Sequence, residues 1–205
     1  MLSAQVETTV DHRVGGFIMI ENLIAFVILS VGLMAIVSLL TMSKTWQHQA
    51  IQRARAVMLA DAIVERIRIN PKGVTAYNIG TDSPVGDDPD SLEPSPDCRT
   101  AACDPDELAA HDLWAWEHAL AGAIVTADGD NVAGLMEPHG CIVFTPAAPK
   151  VRTGLLNVMV QWRGLNESYD AVQGSETVCG SGAAGSDNFR RQVVVNTFVI
   201  DEEEL

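Results

Sequence analysis

Twenty-two consecutive residues, Asn22 to Ser43, carry no charge, and this run limits what the chain can become more than any other feature. Of the 24 residues from Phe17 to Leu40, 19 are hydrophobic. The 15 that are Leu, Ile, Phe or Val favour bilayer insertion by about −5 to −9 kcal/mol on an insertion scale. One carboxylate at the centre of such a helix costs about 3 kcal/mol, and less near an end. The segment is therefore expected to enter a membrane in spite of Glu21. A helix of this length rises about 36 Å, enough to span with some tilt.

Glu21 stands five residues into that segment. A carboxylate there either reaches back to the interface or has a partner inside the apolar phase. The residues around it carry more information. Gly15-Gly16-Phe17-Ile18-Met19-Ile20-Glu21, followed by Leu23, Val27, Leu29 and Gly32, resembles the class III signal of type IV prepilins. An ordinary secretory signal places its apolar region before the cut. Here a polar leader, Met1 to Gly16, lies ahead of the apolar run. The resemblance implies cleavage by prepilin peptidase between Gly16 and Phe17, N-methylation of Phe17, and an assembly role for Glu21. Arg13 and His12 in the leader agree weakly with a cytoplasmic N-terminus.

The chain has 205 residues and a net charge of −14, about −13 without the leader, which holds two acids and one base. Such an acidic chain disfavours direct nucleic-acid binding, which needs Lys and Arg on phosphates, and docking on anionic lipid. Cys98, Cys103, Cys141 and Cys179 all follow the apolar run. An even number in an exported domain reads as disulfides. Three pairings are possible. The favoured one joins Cys98 to Cys103 in a local loop and Cys141 to Cys179 across a long one, the latter contributing about 3–4 kcal/mol. No pair of cysteines has the two-residue spacing of a zinc site, and His111 and His118 match no ligand motif. No metal or cofactor is expected.

The helix is expected to continue past Leu40. Lys44 to Ile69 has no Gly or Pro, and Ala50, Ala54, Val57, Ala60, Val64 and Ile67 recur at helical spacing. Asn70-Pro71 ends it, giving one helix over about 17–70 whose second half needs a surface to lie on. Lys72 to Thr100 reads as loop. Its acidic part, Thr81 to Asp97, fits no calcium template, and Asp128-Gly129-Asp130-Asn131 reads as a turn. Asp104-Pro105-Asp106-Glu107 starts a second helix, to about Ala123. Leu108, Leu113, Trp116, Leu120 and Ile124 mark its apolar side. Trp114 and Trp116, two apart, point in nearly opposite directions, which disfavours a sugar-stacking pair. Cys141–Thr145, Leu155–Trp162 and 192–200 read as antiparallel strands, with Leu156, Val158, Val160 and Trp162 on one face. Gly164 to Asn188 is a glycine-rich loop, and Asp201 to Leu205 a solvated acidic tail.

The expected fold is therefore α+β: a long N-terminal helix packed on a small antiparallel sheet, with an additional helix in the head. The expected divisions are a leader at 1–16, a transmembrane or filament-core half-helix at 17–43, an amphipathic half at 44–70, and a periplasmic head at 71–205. The head pattern, with its Cys98…Cys103 pair, Asp112-Leu113-Trp114…Trp116, Val158-Met159-Val160-Gln161-Trp162 and final Arg191-Gln192-Val193 strand, is similar to minor pilins of the PilV type. Neither a Gly-x-Ser-x-Gly elbow nor a phosphate loop is present, so no enzymatic activity is expected. The resemblance implies a subunit held in the inner membrane with a periplasmic head, later assembled into a surface pilus. Its implied partners are other minor pilins, the major pilin, prepilin peptidase and the inner-membrane assembly platform, in support of adhesion and twitching motility. A minor pseudopilin of a type II secretion system and a signal-anchored periplasmic binding module are the alternatives.

Overall fold

A computed structural model describes residues 19–86, 88, 90–123, 126–127, 130–131, 134–167, 178–180 and 188–205. The chain divides into two compact units, Met1–Thr45 and Trp46–Leu205.

Helix α1 (Met19–Ile69) runs through the boundary. In the first unit, every described residue from Met19 to Lys44 is exposed. In the second unit, Gln52, Ala56, Ala60, Ile63, Val64 and Ile67 are buried. Their spacings of three and four put them on one stripe. The helix ends where Pro71 follows Asn70, whose N–H donates to the carbonyls of Arg66 and Ile67, both at 3.1 Å. A 3-10 turn over Pro71–Gly73 redirects the chain.

The stretch 72–100 is not all loop: β1 (Gly80–Val85) pairs antiparallel with a later strand. Its sequence, GTDSPV, contains Pro84 and little β-branched surface. It is an edge strand, where a missing N–H is tolerated, and its register shifts between Gly80 and Val85. Helix α2 (Pro105–Ala121) begins with a complete capping box: the Asp104 side chain accepts from Asp106 and Glu107 N–H groups, and Glu107 accepts from the Asp104 N–H. It stops at Gly122, whose φ of 77° suits glycine. Short strands β2 (Thr126–Ala127) and β3 (Asp130–Asn131) pair with each other; residues 128 and 129 of the expected turn, and Ile124, lie outside the described residues.

Three longer strands follow: β4 (His139–Pro146), β5 (Gly154–Arg163) and β6 (Arg190–Val199). The sheet is open and antiparallel, in the order β1-β4-β5-β6. One face presents Ile142, Phe144, Leu156, Val158, Val160 and Trp162 to the buried stripe of α1 and to Ala109, Trp116 and Leu120 of α2. Trp116 Nε1 also donates to the Leu59 carbonyl at 3.0 Å, tying α2 to α1. Gly140 is needed there, because a Cβ would strike the Trp116 ring and Leu120. The opposite face carries a smaller cluster of Cys141, Met159 and Cys179. The elements make an α+β fold, with a long apolar N-terminal helix, a small open sheet and a second helix, consistent with the pilin-like arrangement expected from the sequence.

The acidic terminus is only partly solvated: Glu202, Glu203 and Leu205 are exposed, but Asp201 and Glu204 are docked. Asp201 is buried, and its N–H donates to Thr153 Oγ1 at 3.0 Å. Arg152 Nε lies 2.6 Å from Asp201 Oδ2. Glu204, in the 3-10 turn Glu202–Glu204, accepts from the N–H groups of Val151 and Arg152. Lys72 pairs with Glu203. The acids are held by cations and free N–H groups of the β4–β5 connection, which composition alone does not disclose.

Candidate functional site

The first candidate is the exposed part of α1. Glu21 lies in its first described turn and is exposed. Gly16 and Phe17 lie outside the described residues. Around Glu21 the large side chains are uncovered, from Met19 at 85 % and Leu23 at 66 % to Leu40 at 57 % and Met42 at 50 % exposure. Helix α1 is long and apolar enough to cross a membrane, with a mean hydropathy of 2.9 in its most apolar window. Ser30, Thr41 and Thr45 return their hydroxyls to carbonyls three residues earlier, so these polar side chains add little demand for water. A helix apolar all round is stable only inside lipid or among other helices. Glu21 is the one charged side chain on that surface before Lys44. At the membrane interface its carboxylate can reach headgroup level, but among packed helices it needs a cationic partner, because an unpaired buried carboxylate costs several kcal/mol.

The second unit is held by two disulfides, Cys98–Cys103 and Cys141–Cys179. The latter joins β4 to Cys179, whose N–H donates to Gln192 Oε1 at 3.3 Å, while the Gly180 N–H donates to the Thr81 carbonyl at 2.8 Å. The crosslink thus fastens one short stretch of chain over the second face of the sheet. Around the former, Arg99 donates to both Asp97 and Glu93. His111 Nε2 lies 3.3 Å from Glu93 and 3.7 Å from Asp97. Hydrogen bonds from the Arg99 side chain and N–H hold Asp97 below the usual carboxylate range. Glu93, Asp97 and His111 are the described residues whose donor set could hold a cation. The guanidinium already bridges the same carboxylates, so the arrangement works as a polar clasp on the disulfide loop. His118 takes a different partner, the Trp114 carbonyl at 3.0 Å. The Trp114 ring lies between those of His111 and His118, tilted against both, and donates to the Ser91 carbonyl, while Trp116 is buried, so the two indoles form no common platform.

A buried polar network locks α1 to α2. Tyr77 donates to Asp112 Oδ2 at 2.6 Å, Arg66 donates to Asp112 Oδ1 at 2.9 Å, and Asn70 donates to the Pro105 carbonyl at 2.7 Å. Burial, together with the Asp112 hydrogen bond, pushes the Tyr77 phenol well above its ordinary value. Desolvation works against ionisation of Glu204, but the N–H groups of Val151 and Arg152, the Thr153 hydroxyl and the Arg152 charge together hold that carboxyl below its usual range. Sequence reasoning missed both the clasp and the network. Their members are polar residues from separate elements, and only Asp112, on the buried side of α2, gave a periodic hint.

The family model for the type IV pilin Tt1218, Tt1218-like, matches residues 43–114. That span takes in the amphipathic part of α1, β1, the Cys98–Cys103 loop and the start of α2. No curated protein and no solved structure gives a significant match. With the long apolar helix, the open four-stranded sheet and the second helix already described, the match supports a likeness of this chain to the type IV pilin superfamily.

Proposed function

We propose that the protein is a minor pilin of the PilV type, a structural and non-enzymatic subunit of a type IV pilus. In this reading, residues 1–16 are a leader removed by prepilin peptidase, and Phe17 becomes the methylated N-terminus. Residues 17–43 hold the subunit in the inner membrane with the head, 71–205, in the periplasm, and 44–70 join the two. On assembly the apolar helix leaves the lipid and packs among helices of other minor pilins and the major pilin. The inner-membrane assembly platform drives the transfer, and the fibre supports adhesion and twitching motility.

The observation that carries this reading is Glu21 on a helical surface where every described residue from Met19 to Lys44 is exposed. Lipid can cover such a surface, and so can neighbouring helices, but only a neighbour can bring a cation to Glu21. The amino group of an adjacent subunit's Phe17 is that cation. The pairing rewards one axial register and penalises the rest. Glu21→Ala and Glu21→Val are expected to leave membrane insertion intact and to lower incorporation into sheared fibres by about a hundredfold or more, the equivalent of losing a buried pair worth about 3–5 kcal/mol. Normal incorporation of either variant would remove the proposed role. Replacing Gly16 with a bulky residue is expected to leave uncut precursor on a gel.

A further inference from the structure

We propose that the groove lined by Trp46, Gln52, Arg53 and the β5–β6 end of the sheet binds the phosphate headgroup of an anionic phospholipid. The cavity encloses about 360 Å³, the size of a small-ligand site. The chain as a whole is acidic at −14, yet Arg53, Arg163 and Arg191 line this groove and no Asp or Glu does among the described residues. Arg163 is answered by Glu137 at 3.1 Å and sits over the Phe189 ring. Among the described residues, Arg191 donates only to the carbonyls of Asn166, Asn188 and Arg190. Arg53 has no hydrogen bond or ion pair among the described residues. Two guanidinium charges therefore face the groove without a carboxylate among the described residues, and guanidinium is the side chain best shaped for phosphate.

Two further groups are unsatisfied. Gln52 is only 5 % exposed, and its Oε1 has no donor among the described residues. His48 Nε2 is also buried, with no partner among the described residues. A buried acceptor left open is costly, and a headgroup hydroxyl would supply the missing donor. The location favours lipid over an acidic segment of another subunit. Lys44, which ends the charge-free run, stands two residues before Trp46 and nine before Arg53. Trp46 is 60 % exposed, and indoles at the end of an apolar helix settle at headgroup level. The net acidity that argued against anionic lipid is thus reversed locally.

The inference rests on membrane anchoring by α1 but not on fibre assembly. The full chain in neutral detergent micelles is titrated with dihexanoyl phosphatidylglycerol, dihexanoyl phosphatidylcholine and inorganic phosphate, followed by tryptophan fluorescence and native mass spectrometry. One saturable site for phosphatidylglycerol is expected, at least tenfold tighter than either alternative. Arg53→Glu with Arg191→Glu is expected to weaken it about 25-fold, roughly fivefold per cation, and Gln52→Leu about fivefold. Arg99→Glu, in the disulfide loop, is expected to leave it unchanged. Equal binding of phosphatidylcholine, equal binding of inorganic phosphate, or indifference to the arginine reversals would each overturn the proposal, as would occupation by an acidic pilin partner that lipid fails to displace. Thermal unfolding controls for the fold. Should Arg191→Glu unfold, Arg53→Gln at its exposed position carries the test. Loss of lipid binding with normal fibre incorporation, or the reverse, separates this inference from the pilin reading.

Discussion

Helix α1 is built in two ways. Up to Lys44 every described residue is exposed and nearly all are apolar. From Gln52 onward one stripe is fully buried while Arg53, Asp61, Glu65 and Arg68 face out. The later half is stabilised by its own chain, through the sheet face and α2. The earlier half has no such cover among the described residues and must take its stability from lipid or from other subunits. Apolar surface buried within a chain stabilises that chain, whereas surface left open stabilises an assembly. In the proposed reading a single helix serves folding at one end and polymerisation at the other, with Glu21 setting the register of the second task.

Matched truncations are the direct way to break that contrast. Ile63→Ala empties a fully buried position and is expected to cost the head about 2–5 kcal/mol. Val27→Ala, at a position 61 % exposed, is expected to leave head stability within about 0.5 kcal/mol. Thermal unfolding of both would show it, and equal losses would mean that the two halves are not independent. Next come the disulfides. Cys141→Ser with Cys179→Ser opens a crosslink of separation 38 and is expected to cost about 4 kcal/mol. Cys98→Ser with Cys103→Ser opens one of separation 5 and is expected to cost about 2 kcal/mol. Denaturant midpoints in oxidising buffer test the order.

The smallest effect concerns pH. Tyr77 is neutral and hydrogen-bonded when folded, and its pKa lies above the ordinary value of about 10. A group whose folded pKa is raised contributes stability that is complete below the unfolded pKa and is lost as pH rises towards the folded one. Tyr77→Phe is expected to lower stability by about 1–3 kcal/mol at neutral pH and to flatten the decline above about pH 10. Unfolding curves from pH 7 to 11 measure both. An unchanged alkaline decline would show that another group controls it.

Elements that depend on local chemistry were legible in the sequence. The charge-free run, the Asn70-Pro71 stop, the Asp104 capping box and the β-branched strands β4 to β6 all announce themselves through period or cap. Strand β1 did not, because Asp82, Ser83 and Pro84 are turn formers and only pairing with β4 makes them strand. Docking of Asp201–Leu205 was equally hidden, since it depends on Lys72 and Arg152 from distant elements. For the site, Glu21 stands out as a lone charge in an apolar run. The basic groove does not: Arg53 reaches Arg163 and Arg191 only through the fold, and net charge points the other way.

The mass of the chain recovered from the cells that make it tests the central claim most directly. A protein beginning at Phe17, one methyl group heavier than its sequence and present in purified pili, is the predicted result. A chain that retains residues 1–16, or a processed chain found in no fibre or fibre-priming complex, would contradict it.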